Sequence, residues 1–186
     1  QEKCLCQIPS RFAIAMTDNG WILRNRIIWH KPNCMPSSVQ DRFTVDYEDI
    51  FFFAKSKRYY FDAEIIKEPT LTKDNSQRDR DNTRLNNTPG RTKMGGLKTN
   101  DYDMKNKRTV WTVNTHPYTE AHFATFPEAL IQPMILAGCP KGGLVLDPFM
   151  GAGTTAVVAK KLSRNFLGIE LNESYIKIAT SRLRSI

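Results

Sequence analysis

The chain has 186 residues, 40% hydrophobic and 25% charged, a size and balance that suit one soluble domain with its own core. Its 27 Lys and Arg against 19 Asp and Glu give a net charge of +8, which favours an anionic partner, nucleic acid first. No run of about 18 apolar residues exists, so no membrane-spanning helix is expected, and Cys4, Cys6, Cys34 and Cys139 match no usual zinc spacing, so no metal is expected either.

Taken in order, residues 8–18 place Ile8, Phe12, Ala15 and Met16 at helical spacing, with Pro9 in the first turn and Asn19-Gly20 as the stop. Trp21 to Trp29 reads as a largely buried strand. His30-Lys31-Pro32-Asn33 leaves it, and Pro32 and Pro36 make the following loop irregular. Tyr47 to Ala54 reads as a second strand, too apolar for an exposed edge. After the basic turn Lys55-Ser56-Lys57-Arg58, Tyr59-Tyr60-Phe61 reads as a third short strand of a hairpin.

Residues 68–108 change character. Ten basic residues (Lys73, Arg78, Arg80, Arg84, Arg91, Lys93, Lys98, Lys105, Lys107 and Arg108) stand against six acidic ones, and Pro89-Gly90 and Gly95-Gly96 punctuate the stretch. About forty residues without periodicity inside a compact domain form either a solvated insertion or a functional loop. The functional version is a loop lying along a phosphate backbone. Order returns at Val110 to Val113. A helix starts at Phe126-Pro127-Glu128, with Pro133 expected to kink or interrupt it and Gly138 and Pro140 to end it. A strand at 144–147, a helix at about 153–162, a strand at 165–170 and a last helix capped by Asn172 complete the chain.

The most informative stretch is Gly143-Leu144-Val145-Leu146-Asp147-Pro148-Phe149-Met150-Gly151-Ala152-Gly153-Thr154-Thr155-Ala156. An apolar strand ends in an acid, and a glycine turn leads into a small-residue helix. Backbone approaches a ligand closely there, because glycine has no side chain in the way. Glu170 ends the next strand, 23 positions after Asp147 (170 − 147), about where a carboxylate accepts ribose hydroxyls in a nucleotide-binding α/β unit. Only one strand and one helix follow the turn, so the rest of the sheet comes from upstream sequence, in an order permuted relative to a dehydrogenase. An acid and an aromatic ring at the strand end suit a compact adenine cofactor with a cationic group better than a long pyrophosphate.

These residues resemble the cofactor motif of S-adenosylmethionine-dependent DNA amino-methyltransferases, in the group called the beta class, which carries the motif late in the chain. His122 to Ile131 is similar to the family's preceding segment. Gly168-Ile169-Glu170-Leu171-Asn172 with Tyr175, Ala179 and Arg182-Leu183 is similar to its second strand and closing helix. Gly20 to Asn33 and the Tyr59 to Asp62 region resemble its catalytic-side strands. Only 68–108 falls outside the resemblance.

The resemblance implies a doubly wound, Rossmann-like α/β sheet in permuted order. It divides the chain into a catalytic-side part (1–67), a target-recognition insertion (68–108) and a cofactor-binding part (109–186). It implies methyl transfer from S-adenosylmethionine to N6 of adenine or N4 of cytosine in duplex DNA, within a cytoplasmic restriction-modification system that pairs the enzyme with a cognate endonuclease. Phe149, Gly151 and Gly153 would shape the pocket, Thr154 and Thr155 would bond the amino-acid end, and Asp147 would sit near its ammonium. Glu170 would hold the ribose, and Phe126 and Pro127 would close the methionine side. Trp29, His30, Lys31 and Asn33 are candidates for the base pocket, Trp29 having a core reading at least as strong. Lys73, Arg78, Arg80, Arg84, Arg91, Lys93 and Lys98 are candidates for DNA contact. The family's catalytic tetrapeptide, a polar residue followed by Pro-Pro and an aromatic, is not found: the chain has no Pro-Pro dipeptide. The expectation is a chain truncated before Gln1, inactive alone. A dinucleotide-dependent oxidoreductase and a non-catalytic nucleic-acid-binding remnant are the alternatives.

Overall fold

The computed structural model describes residues 2–70, 104–115 and 125–186. The elements run α1 (Ile8–Asp18), β1 (Ile22–His30), β2 (Tyr47–Ala54), β3 (Glu68–Pro69), β4 (Met104–Lys105), β5 (Val110–Thr112), α2 (Glu128–Gly138), β6 (Leu144–Asp147), α3 (Thr154–Lys161), β7 (Asn165–Gly168) and α4 (Glu173–Arg184). Among the described residues the strands form three sheets, ordered β2-β1-β5, β3-β4 and β6-β7.

β1 pairs antiparallel with β2, from Ile22 opposite Ala54 to His30 opposite Tyr47, and parallel with β5. Among the described residues β2 is therefore an outer strand, contrary to the expectation from its apolar run. Its three phenylalanines are covered face by face instead. Phe51 and Phe53 point one way, onto Phe12 of α1 at 6.2 and 6.1 Å between ring centroids. Phe52 points the other way and stacks on Phe61 at 5.3 Å, with Tyr59 edge-on at 5.6 Å. Tyr59 to Phe61 accordingly is not the expected third strand. It covers Phe52 with side chains instead of pairing its backbone. The Asp62 N–H then donates to the Ala137 carbonyl at the end of α2, satisfying one of the acceptors a helix terminus leaves open.

β1 is also less buried than its composition predicts. Only Trp29 is buried, while Leu23 to Arg26 are exposed. The exposed half carries Arg26, which reaches across the ladder to grip both oxygens of Asp49 at 2.7 and 2.9 Å.

α2 runs from Glu128 to Gly138 without interruption at Pro133. It packs on both larger sheets. Leu130 and Met134 join Trp29 and Trp111, whereas Ile131 and Ile135 join Val158, Ala159, Val145 and Phe166. Residues four apart share a helix face, so one helix serves two adjacent clusters. With α1 on the opposite face, the β1–β2 ladder has helices on both sides, the doubly wound arrangement. β6 and β7 are parallel, in register from Leu144 opposite Asn165 to Asp147 opposite Gly168, with α3 as the crossover. Val145 and Phe166 face α2 and α3, while Leu144, Leu146 and Leu167 on the other face are exposed. The β6-α3-β7-α4 unit follows β1, β2 and β5 in the chain, which is the permuted order.

The short β3–β4 pair sets Glu68 opposite Lys105 and Pro69 opposite Met104. Glu68 also accepts from Arg108 at 2.7 Å. The two ends of the 68–108 stretch thus meet at a common base.

Candidate functional site

The turn after β6 is zipped along the end of β7. The Ile169 N–H donates to the Asp147 carbonyl at 3.0 Å, and the Met150 N–H donates back to the Ile169 carbonyl at 2.9 Å. The Gly151 N–H then donates to Glu170 Oε2 at 2.7 Å. The other carboxylate oxygen, Oε1, accepts from Asn172 N–H at 2.8 Å, where Asn172 caps α4. Backbone donors from Asn172 and then Gly151 hold the Glu170 carboxyl below the ordinary glutamate value, against a smaller opposing effect of desolvation. The Leu171 N–H adds a weaker contribution, and since a carboxylate accepts at about four lone-pair sites, these backbone donors leave it able to accept from a ligand's hydroxyls.

The two glycines of the turn have different duties. Gly151 takes φ +53, and a Cβ built there meets nothing within 4 Å, so the space above it is open. Gly153 takes φ +83, and a Cβ there would lie 2.7 Å from Ala179 Cβ. Gly151 leaves room for a ligand, whereas Gly153 lets α4 pack against the start of α3.

Asp147 is committed first to the turn itself. Its Oδ1 accepts the Phe149 N–H at 3.0 Å and its Oδ2 accepts the Thr155 hydroxyl at 2.6 Å. Thr154 Oγ1 accepts from Arg182 at 3.2 Å. Both threonines are buried, so the structure directs their hydroxyls into the fold. Phe149 is 87% exposed and Leu171, next to Glu170, is 96% exposed, two large apolar side chains at the mouth of the site. Phe126 packs on the Trp29–Trp111–Leu130 cluster, and buried Pro127 precedes α2 at its N-cap.

The base-pocket candidates lie together where β1 ends. Trp29 is a core residue: it is 6% exposed, and its Nε1–H donates to the Val113 carbonyl at 2.8 Å. Its burial and this bond help hold β1 on β5 and α2. His30 Nδ1 lies 3.2 Å from the Thr112 hydroxyl and its Nε2 3.6 Å from Asp46. Lys31 donates to Glu48 at 2.7 Å. Asn33 clamps Thr115 with two bonds, donating to its carbonyl at 2.8 Å and accepting its N–H at 2.9 Å. The DNA-contact candidates Lys73, Arg78, Arg80, Arg84, Arg91, Lys93 and Lys98, and the His122 to Ala124 part of the resemblance, lie outside the described residues.

Sequence reasoning missed three contributors. Arg182, quoted only as part of the closing helix, reaches the glycine turn. Leu171 flanks the carboxylate. Arg164 is buried and donates to the Cys139 and Leu162 carbonyls at 3.1 and 2.6 Å, capping the ends of α2 and α3. A basic residue just past a helix end was the available signal for Arg164; nothing local marks Arg182. Among the described residues no cluster of His, Cys, Asp and Glu is placed to hold a metal, and no helix is long and apolar enough to cross a membrane.

Two parallel strands joined through a glycine turn and a crossover helix, with an acid at the second strand end, define an α/β protein of the nucleotide-binding architecture. The chain belongs to a DNA methylase family, whose family model, described as DNA methylase, matches residues 5–181. It is similar to the Type II methyltransferase M.SmaI of Serratia marcescens, 45% identical over 97% of this chain and 53% of the relative. It is also similar to the Type II methyltransferase M.Cfr9I of Citrobacter freundii, 44% identical over 98% of this chain and 51% of the relative. The chain thus spans about half the length of these curated relatives. Among solved structures, that of an M1.HpyAVI–SAM complex is 26% identical and covers 97% of this chain and 71% of its own, with a TM-score of 0.62. The cytosine-N4-specific PvuII DNA methyltransferase, 19% identical over 94% of this chain and 56% of its own, shares the fold at a TM-score of 0.66. These matches do not favour the oxidoreductase alternative.

Proposed function

We propose that this chain is part of a site-specific DNA methyltransferase that moves a methyl group from S-adenosylmethionine to the exocyclic amine of adenine or cytosine in duplex DNA, with its cofactor pocket in residues 109–186. The observation that carries the reading is the junction of Gly151 and Glu170, an open backbone turn beside a carboxylate kept ionised by two backbone donors. The residues present fit that cofactor. Glu170 accepts from ribose hydroxyls, Asp147 lies on the side of a cationic amino-acid end, and Phe149 and Leu171 offer apolar surface to an adenine ring. Phe126 and Pro127, at the start of α2, would close the methionine side. Thr154 and Thr155 act from inside, by holding the turn in shape.

Bound S-adenosylmethionine supplies an electrophilic methyl group on a sulfonium. The amine it meets is a poor nucleophile, since its lone pair is delocalised into the base, and the base must leave the duplex to be reached. In the family, a Pro-Pro-aromatic tetrapeptide does that work. This chain has no Pro-Pro dipeptide, so the reading expects binding without transfer.

The net charge of +8 supports DNA as the partner. Phosphate contacts from Lys73, Arg78, Arg80, Arg84, Arg91, Lys93 and Lys98 would position the duplex, with other side chains of 68–108 reading base edges. The division into 1–67, 68–108 and 109–186 is part of the proposal, as is a cytoplasmic setting with a restriction endonuclease as functional counterpart.

The test is titration of the chain with S-adenosylmethionine and with NAD, repeated with Glu170→Ala. S-adenosylmethionine should bind and NAD should not, and the substitution should weaken binding. Tighter binding of NAD would return the assignment to the oxidoreductases. DNA affinity with no cofactor binding at all would support the non-catalytic remnant. Robust methyl incorporation into DNA by the purified chain would contradict binding without transfer.

A further inference from the structure

Arg182, on the last helix, is far in sequence from the glycine turn and is not one of the pocket residues that the motif marks. Its side chain is only 17% exposed. Nη1 donates to the Ala152 carbonyl at 2.7 Å, between the two glycines of the turn, and to Thr154 Oγ1 at 3.2 Å. Nη2 lies 3.8 Å from Glu128 Oε1. Glu128 opens α2 directly after Pro127, and its other oxygen accepts from Lys161 of α3 at 2.7 Å. One planar cation therefore contacts the turn between its two glycines and lies within ion-pair distance of the acid that opens α2 directly after Phe126–Pro127.

The chemistry suits this arrangement. A guanidinium holds several acceptors in a rigid fork, and a lysine ammonium, as a point charge, does not reproduce that geometry. The Ala152 carbonyl needs such a donor, because Gly151 and Gly153 give the turn's backbone little stiffness of its own. Glu128 lies at a helix N-terminus, where a carboxylate is favoured, and Arg182 and Lys161 flank it. Gly153 lets α4 approach to contact distance at Ala179, one turn before Arg182, and so brings the guanidinium within reach.

We propose that Arg182 is a positioning residue for the cofactor pocket, joining the Ala152–Thr154 turn to the Phe126–Pro127 segment through Glu128. The proposal rests on the S-adenosylmethionine reading above. On that reading Phe126–Pro127 and the second half of the turn serve the amino-acid end of the ligand, whereas Glu170 serves the nucleoside end. Losing Arg182 should therefore weaken ligands that carry an amino-acid tail more than those that lack one.

The experiment compares S-adenosylhomocysteine with methylthioadenosine, which has the same nucleoside and no amino-acid group. Affinities are measured by calorimetry on the whole chain, well below its unfolding temperature. Arg182→Met should weaken S-adenosylhomocysteine about tenfold or more and methylthioadenosine less than about threefold. Arg182→Lys should recover part of the difference, and Glu128→Gln should reproduce a smaller version of it. Equal weakening of both ligands, or a lowered unfolding temperature with unchanged affinities, makes Arg182 merely structural and overturns the proposal. If Arg182→Met fails to fold, Arg182→Lys and Glu128→Gln decide by the same ratio. Failure of the unsubstituted chain to bind either ligand overturns the cofactor reading itself, and the proposal with it.

Discussion

The Glu170 carboxylate accepts the Gly151 N–H at 2.7 Å, so the acid that ends one strand and the glycine turn that follows the other form a single unit. This bond and its counterpart from Asn172 lower the Glu170 pKa. A depressed carboxylate contributes its stabilisation above its unfolded value and loses it as pH falls through its folded value. Affinity for S-adenosylhomocysteine should therefore hold from neutral pH downward and begin its Glu170-dependent fall at a lower pH than an ordinary glutamate would give. Glu170→Gln should weaken binding at neutral pH by about ten- to a hundredfold, since it replaces a charged acceptor of the ligand's hydroxyls. Calorimetric titration across pH checks both. A Glu170-dependent step near neutral pH would contradict the hydrogen-bond assignment.

The two glycines should part company on substitution. Gly153→Ala places a methyl 2.7 Å from Ala179 Cβ at φ +83, and should lower stability by about 1–3 kcal/mol. Adding Ala179→Gly should recover the steric share and leave the backbone share. Gly151→Ala meets no protein atom within 4 Å and carries only the backbone cost of φ +53. Its effect should fall more on ligand affinity than on unfolding temperature. Thermal melts paired with titrations separate the two.

Trp29 is a sharper test of the catalytic-side reading. Trp29→Phe keeps the ring but removes the donor to the Val113 carbonyl, and should cost about 1–2 kcal/mol in denaturant unfolding. Cofactor affinity should stay unchanged. Unaltered stability together with lost affinity for DNA carrying an unpaired target base would restore Trp29 to the base pocket.

The base of the 68–108 stretch sets where a deletion should be cut. β4 begins at Met104 and pairs with β3, so removing 72–102 and joining the ends with a short glycine link keeps Glu68, Lys105 and Arg108 together. This variant should keep S-adenosylhomocysteine affinity and lose sequence-specific DNA binding, measured by fluorescence anisotropy at several salt concentrations. Cofactor loss with the rest folded would count against the division into recognition and cofactor parts.

Much of the architecture was legible because its signals are local. Pro9, the helical spacing to Met16 and the Asn19-Gly20 stop predict α1 to the residue. Asn172 caps α4 with its own side chain. The misreadings of β2 and of Tyr59–Phe61 share one cause. Phe51, Phe52 and Phe53 look like a strand buried between neighbours, yet β2 has a neighbour on one side only among the described residues, because α1 and the Tyr59–Phe61 segment cover its faces. A run of apolar residues says that surface is buried and is silent about whether strands or side chains bury it.

The sequence by itself determined the glycine turn, the acid 23 residues beyond Asp147 and the late position of both, since these depend on backbone freedom and spacing along a few tens of residues. Only the tertiary structure decided which partner each polar group serves. Thr155 turns to Asp147, Thr154 to Arg182, and Trp29 to a carbonyl 84 residues away. The physical reason is that a hydroxyl, an indole N–H or a guanidinium is equally able to serve a ligand or the fold. Burial decides between them, because a buried polar group left without a partner costs more than a hydrogen bond returns, and burial is set by contacts between distant parts of the chain.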